Sequence, residues 1–83
     1  MSTDPAEQAI LRLVTERGVE KSICPTEAAR QLAPEGQAWR RFLHPVRLAA
    51  QRLARAEKIE ILRKGRPIAP EDMHGVIRLR LKP

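Results

Sequence analysis

Aromatic residues are almost absent from this sequence. Of 83 residues only Trp39 and Phe42 are aromatic, and there is no tyrosine. A surface that stacks single-stranded bases needs several rings, so that mode of nucleic-acid binding is disfavoured. Cysteine is equally scarce. A single residue, Cys24, excludes an intramolecular disulfide and a four-cysteine zinc site. One unpaired cysteine suits a reducing cytoplasm, which is the expected location. No apolar run approaches the roughly 20 residues of a membrane helix, so no membrane partner is expected. Met1-Ser2-Thr3-Asp4-Pro5 lacks the basic and apolar regions of a secretory signal.

Catalytic patterns are missing too. His44 and His74 lie thirty residues apart, with no carboxylate or cysteine at ligand spacing, so no metal is expected. There is no Ser/His/Asp pattern, no glycine-rich phosphate loop and no paired catalytic carboxylates. Glu71-Asp72 reads as a polar turn. Neither an enzyme nor a cofactor is expected, because no set of residues supplies nucleophile, base and stabiliser together. Cys24 precedes a helix start, where a thiol with Lys21 nearby could become reactive. The plainer reading is a small buried residue at a strand end.

What the sequence does have is positive charge. Sixteen Lys and Arg face ten Asp and Glu, a net +6. The excess is local. Residues 1–20 carry −2 and residues 21–38 are neutral. Residues 39–83 carry twelve basic residues against four acidic ones, a net +8. An acidic partner should therefore meet the C-terminal half, with nucleic acid the first candidate.

The chain is long enough for one domain over residues 1–83. A domain of this size buries only about 60% of its unfolded surface, so its stability should be modest. Asp4 as N-cap, Pro5 at the first position and Glu7 at the third predict a first helix, with Ala6, Ile10, Leu13 and Val14 inward and Gly18 ending it. Lys21 to Cys24 reads as a short edge strand. Pro25 opens a second helix, with Thr26 and Glu27 in its first turn and a small face of Ala28, Ala29 and Leu32. Pro34-Glu35-Gly36 breaks it. Gln37 to Leu43 predicts a short third helix, in which Trp39 and Phe42 serve as core anchors. Pro45 then starts a fourth helix to about Glu57, with His44 helping to cap it. Val46, Ala49, Ala50 and Leu53 form its buried face. Leu48 fits neither face. Lys58 to Leu62 and Val76 to Leu81 alternate as strands, with Ile59, Ile61, Ile77, Leu79 and Leu81 inward. They should pair as an antiparallel hairpin whose long connection forms an extended basic tip. The expected class is α+β, a winged helix-turn-helix-like fold of three to four helices with a C-terminal β-hairpin wing.

Four segments carry a resemblance. They are Ser22-Ile23-Cys24-Pro25-Thr26-Glu27-Ala28-Ala29-Arg30, then Val46-Arg47-Leu48-Ala49-Ala50-Gln51-Arg52-Leu53, then Ile59-Glu60-Ile61 with Lys64-Gly65-Arg66-Pro67, and Ile77-Arg78-Leu79-Arg80-Leu81. From Ala9 to Leu81 the sequence resembles a family of short bacterial proteins known as a domain of unknown function with a winged-helix-like fold. The resemblance implies that fold and, by fold analogy, a nucleic-acid role.

Two groups of residues are candidates for such a role. On the fourth helix Arg47, Gln51, Arg55 and Lys58 form an outward stripe flanked by Arg52. In a helix-turn-helix the last helix enters the major groove. There arginine can chelate guanine, glutamine can chelate adenine, and the later cations meet phosphate. The alternative is the solvated side of an amphipathic helix. The second group is Arg63-Lys64-Gly65-Arg66-Pro67. Its Gly-Arg-Pro core resembles the minor-groove hook, although Arg63 and Lys64 replace that motif's leading proline and arginine. The alternative is a turn that uses Gly65 for its backbone freedom and leaves the charges in solvent. Double-stranded DNA is thus the expected partner. A protein–protein interaction module on the same surface is the second reading.

Overall fold

In the computed structural model, which describes residues 4–35 and 37–83, Asp4 caps the first helix as expected. Its carboxylate accepts from the Ala6 and Glu7 N–H groups at 2.8 and 3.1 Å, satisfying donors that have no partner within the helix. Helix α1 spans Pro5–Arg17 and buries Ala6, Ala9, Ile10, Leu13 and Val14. Gly18 follows with φ 85° and stops it. The secretory-signal reading of Met1 to Thr3 and the part of Gly36 in the break after the second helix lie outside the described residues.

Strand β1 (Ser22–Ile23) is short and lies at a sheet edge, as its sequence suggested. Helix α2 (Pro25–Leu32) follows. The Glu27 carboxylate reaches back to accept the Cys24 N–H at 2.9 Å. Ala28 and Ala29 are fully buried, so α2 packs closely on α1 and α3.

The expected third and fourth helices are one continuous path. Trp39–Phe42 is a single 3-10 turn that runs directly into α3 (Leu43–Arg55). Pro45 therefore sits at the third position of α3 and does not open it. The first-turn N–H groups of a helix have no partner within it, so a proline there costs little. His44 does not cap the helix. It is exposed in the first turn, and Leu43 N–H instead donates to Arg40 O, linking the two segments. Trp39 and Phe42 are only half-buried, packed against the core from its rim.

Helix α3 also ends earlier than expected, at Arg55, in a Schellman turn. Lys58 N–H donates to Leu53 O at 2.9 Å and Glu57 N–H to Ala54 O at 3.0 Å, with Glu57 left-handed at φ 61°. Val46, Ala49, Ala50 and Leu53 are buried as their spacing required. Leu48, on the opposite side of the helix, is 42% exposed.

Strand β2 (Ile59–Arg63) pairs with β4 (Arg78–Leu81), Ile61 opposite Leu79, as the two expected neighbours. The connection between them differs from an extended tip. Lys64 and Gly65 take φ 53° and 78°, and the chain folds straight back as β3 (Arg66–Ile68) on the other side of β2. Two consecutive positive φ angles are what a two-residue hairpin turn matched to strand twist demands. Pro67 is placed in this edge strand, where a missing N–H is tolerated. A second 3-10 turn, Pro70–Asp72, precedes β4, which begins later than the sequence alternation suggested. Ile77 is buried just ahead of it, while Val76 is 88% exposed.

The sheet is antiparallel in the order β1-β4-β2-β3. Its inner residues Ile23, Ile59, Ile61 and Leu79 join those of the three helices in one core. Full burial of a side chain such as Ile10 or Leu53 stabilises by about 1.5–3 kcal/mol. Three helices against a four-stranded antiparallel sheet make the protein α+β, as expected, and consistent with a winged-helix-like fold. Among the described residues no helix is long and apolar enough to cross a membrane.

Candidate nucleic-acid interface

The segment between β3 and β4 decides the environment of the α3 stripe. From Pro70 to Gly75 it runs beside the helix, and three stripe residues reach it. Gln51 Nε2 donates to Pro70 O at 3.1 Å. Arg47 Nη1 donates to Gly75 O at 3.4 Å, a weak bond. Arg55 Nε lies 3.5 Å from the Glu71 carboxylate. Gln51 and Arg47 are half-buried and Arg55 is exposed. The first two positions of the stripe therefore do not form an open solvated face.

Arg52 turns the other way. Its Nε donates to Glu7 at 2.8 Å and its Nη2 to Asp4 at 3.1 Å, joining α3 to the start of α1. The hydrogen bond to Glu7, then the charges of Asp4 and Glu7, push its already high pKa further up against slight desolvation. Asp4 thus serves both as helix cap and as ion-pair partner.

From β2, Arg63 also meets the Pro70–Gly75 segment. Its Nη1 donates to Asp72 O at 3.2 Å and lies 3.3 Å from His74 Nε2. So Arg47, Gln51, Arg55 and Arg63 are brought together around one short stretch of chain. Lys64 and Arg66 flank Gly65 at the exposed hairpin tip, and Lys58 is exposed just past the end of α3. These three make no side-chain ion pair or hydrogen bond with a described residue. Several other cations are held by acids. Arg17 pairs with Glu27, Arg80 with Glu60 and Lys82 with Glu57. Arg30 and Arg40 stack on the Trp39 ring, 4.9 and 4.7 Å from its centre.

The covering segment is what sequence reasoning missed. A signal was present in Ile68 and Met73, apolar residues within the supposed loop. Both are half-buried and packed against the core, which draws the chain back onto α3. Glu71, read as part of a polar turn, supplies the carboxylate that meets Arg55. Cys24 is half-buried, and its sulfur accepts the Thr26 hydroxyl at 3.1 Å. Among the described residues no cluster of His, Cys, Asp and Glu could hold a metal ion.

Among curated proteins, none matches this chain. A family model matches residues 3–82, nearly its whole length, and the chain therefore belongs to the family described as Protein of unknown function (DUF3253).

Proposed function

We propose that this protein binds double-stranded DNA, with the hairpin tip on the backbone or in the minor groove and the open side of α3 toward the major groove. One observation carries the reading. Among the described residues Lys58, Lys64 and Arg66 have no carboxylate partner, although Asp4, Glu7, Glu27, Glu57, Glu60 and Glu71 each meet a cation elsewhere. Lys64 and Arg66 stand together at the exposed tip of the β2–β3 hairpin, and Lys58 stands at the other end of β2. Phosphate contact by such cations releases counterions and supplies most non-specific affinity.

Gly65 adds to this reading, since one of the two turn residues carries no side chain, which eases close approach of the backbone to a groove. Exposed Leu48 adds to it as well. An apolar side chain on the outer side of α3 suits contact with a thymine methyl group. Arg47 and Gln51 each use part of their donor set on the Pro70–Gly75 main chain and keep further N–H groups for bases at the groove edge.

The test is a salt titration of a fluorescently labelled duplex followed by anisotropy. Wild type should bind at low salt with a steep negative slope of log affinity against log salt. The double variant Lys64→Gln and Arg66→Gln should lower the slope by about 2, at about 0.9 per lost phosphate contact. Both side chains are exposed, so the fold should be unaffected. Absence of binding at low salt would overturn the proposal.

A further inference from the structure

Val76 is the most exposed of the large apolar residues in the described chain, at 88%, and it stands between two shallow grooves. The first, about 530 Å³, lies at the hairpin end of the sheet. Leu62 and Val76 give it apolar wall, and Arg63, Lys64 and Arg78 border it. Leu62 points to the outer side of the sheet yet is only 6% exposed, so surrounding side chains already shelter it there. The second groove, about 220 Å³, shares Val76 and adds Pro25, Leu43 and Ile77, with Arg47 as its charged member. Among the described residues no carboxylate lines either groove.

We infer that these grooves form a docking surface for an acidic, amphipathic peptide segment of a partner protein, one that places apolar side chains on both sides of Val76. The charge pattern selects this occupant. Each bordering cation keeps capacity for an incoming carboxylate. Lys64 makes no side-chain bond to a described residue. Arg47 and Arg63 each use a single Nη1, Arg47 toward Gly75 O and Arg63 toward Asp72 O and the His74 ring. Arg78 donates to Ser22 through Nε and Nη2 and so keeps its other nitrogen. A guanidinium has five N–H donors in a planar fork that suits carboxylate. An apolar centre with a charged border is the usual anatomy of a protein interface. Two shallow grooves across a ridge fit alternate side chains of an extended segment better than one compact ligand. The grooves share Lys64 and Arg47 with the proposed DNA contact, but their apolar centre at Val76 is no part of it and does not require DNA binding.

The experiment titrates the intact protein with a short peptide in which glutamates alternate with leucines, followed by NMR chemical shifts. A glutamate–serine peptide of equal length and charge is the control. The leucine peptide should bind more tightly, and shifts should centre on Leu62, Val76 and Ile77. Val76→Ser should weaken it roughly tenfold, the value of burying an aliphatic side chain. The same variant should leave duplex binding unchanged, because Val76 is not part of the proposed DNA contact. Equal binding of the two peptides would overturn the inference. So would a loss of duplex affinity in Val76→Ser, which would assign the grooves to DNA. Concentration-dependent self-association abolished by Val76→Ser would assign them to a second copy and overturn it as well.

Discussion

Glu57 shows how a single backbone angle can hold unused stability. It is left-handed at φ 61°, where any side chain clashes with its own backbone and glycine does not. Its side chain lies 3.5 Å from Lys82, but a pair this exposed contributes little. Glu57→Gly should therefore stabilise the protein by about 0.5–1 kcal/mol while keeping the Schellman turn. A urea midpoint that rises with an unchanged slope would confirm it, and a midpoint at or below wild type would contradict it. Other residues were readable in advance to differing degrees. Asp4 as cap and Gly18 as terminator followed from chemistry that acts within one helical turn. Glu57 gave no sign, because nothing local distinguishes a glutamate in a helix from one just past its end. Leu48 resisted placement for a different reason: its exposure matters only against a partner.

Among the elements, α1 and α2 are tied by one carboxylate. Glu27 accepts from Cys24 N–H at the start of α2 and pairs with Arg17 at the end of α1. Partial burial pushes its pKa up. The Cys24 bond, the Arg17 bond and charge, and the Arg78 charge together outweigh burial, leaving the pKa below the ordinary range. A depressed carboxylate adds stability that is fully present above the ordinary glutamate value of about 4.3. That stability is lost as pH falls through the lowered pKa. The stability gap between wild type and Glu27→Gln should thus be constant near neutral pH and close progressively below about 4.3. Urea unfolding of both proteins across the acid range measures it, and a gap that widens on acidification would contradict the assignment. The helical faces of α1 and α3 were legible because a 3.6-residue period leaves its mark on apolar spacing. The join of the 3-10 turn to α3 was not, since Pro45 reads equally as a helix start or as a tolerated first-turn residue. Strand β3 was missed because Arg66, Pro67 and Ile68 do not alternate convincingly, and Pro67 argues against a central strand.

Across the whole molecule, one core joins every helix to the sheet, and Trp39 packs on its rim between α2 and α3. Arg52 adds a long-range tie, bonding to residues 45 and 48 positions away. A single small core of this kind should unfold in one cooperative step. Far-ultraviolet circular dichroism reports the helices, and the lone tryptophan reports its own site. The two urea transitions should coincide, and separated midpoints would reveal an independently melting part. The charge pattern is also a property of the whole. The −2 of the first twenty residues is partly matched in space, where Asp4 and Glu7 meet Arg52. The open cations of the C-terminal strands and turns lie at the hairpin tip and just past the end of α3.

The sequence by itself determined the class of fold, the faces of the helices, the pairing of β2 with β4 and the basic bias of the C-terminal half. These depend on period, capping chemistry and composition, all of which act over a few residues. Only the tertiary structure decided which cations are open. Whether Arg47, Gln51 and Arg55 face solvent depends on a segment about twenty residues further along the chain folding back onto α3. That contact is non-local: it forms because Ile68 and Met73 gain more by joining the core than the connecting chain would by staying extended in water.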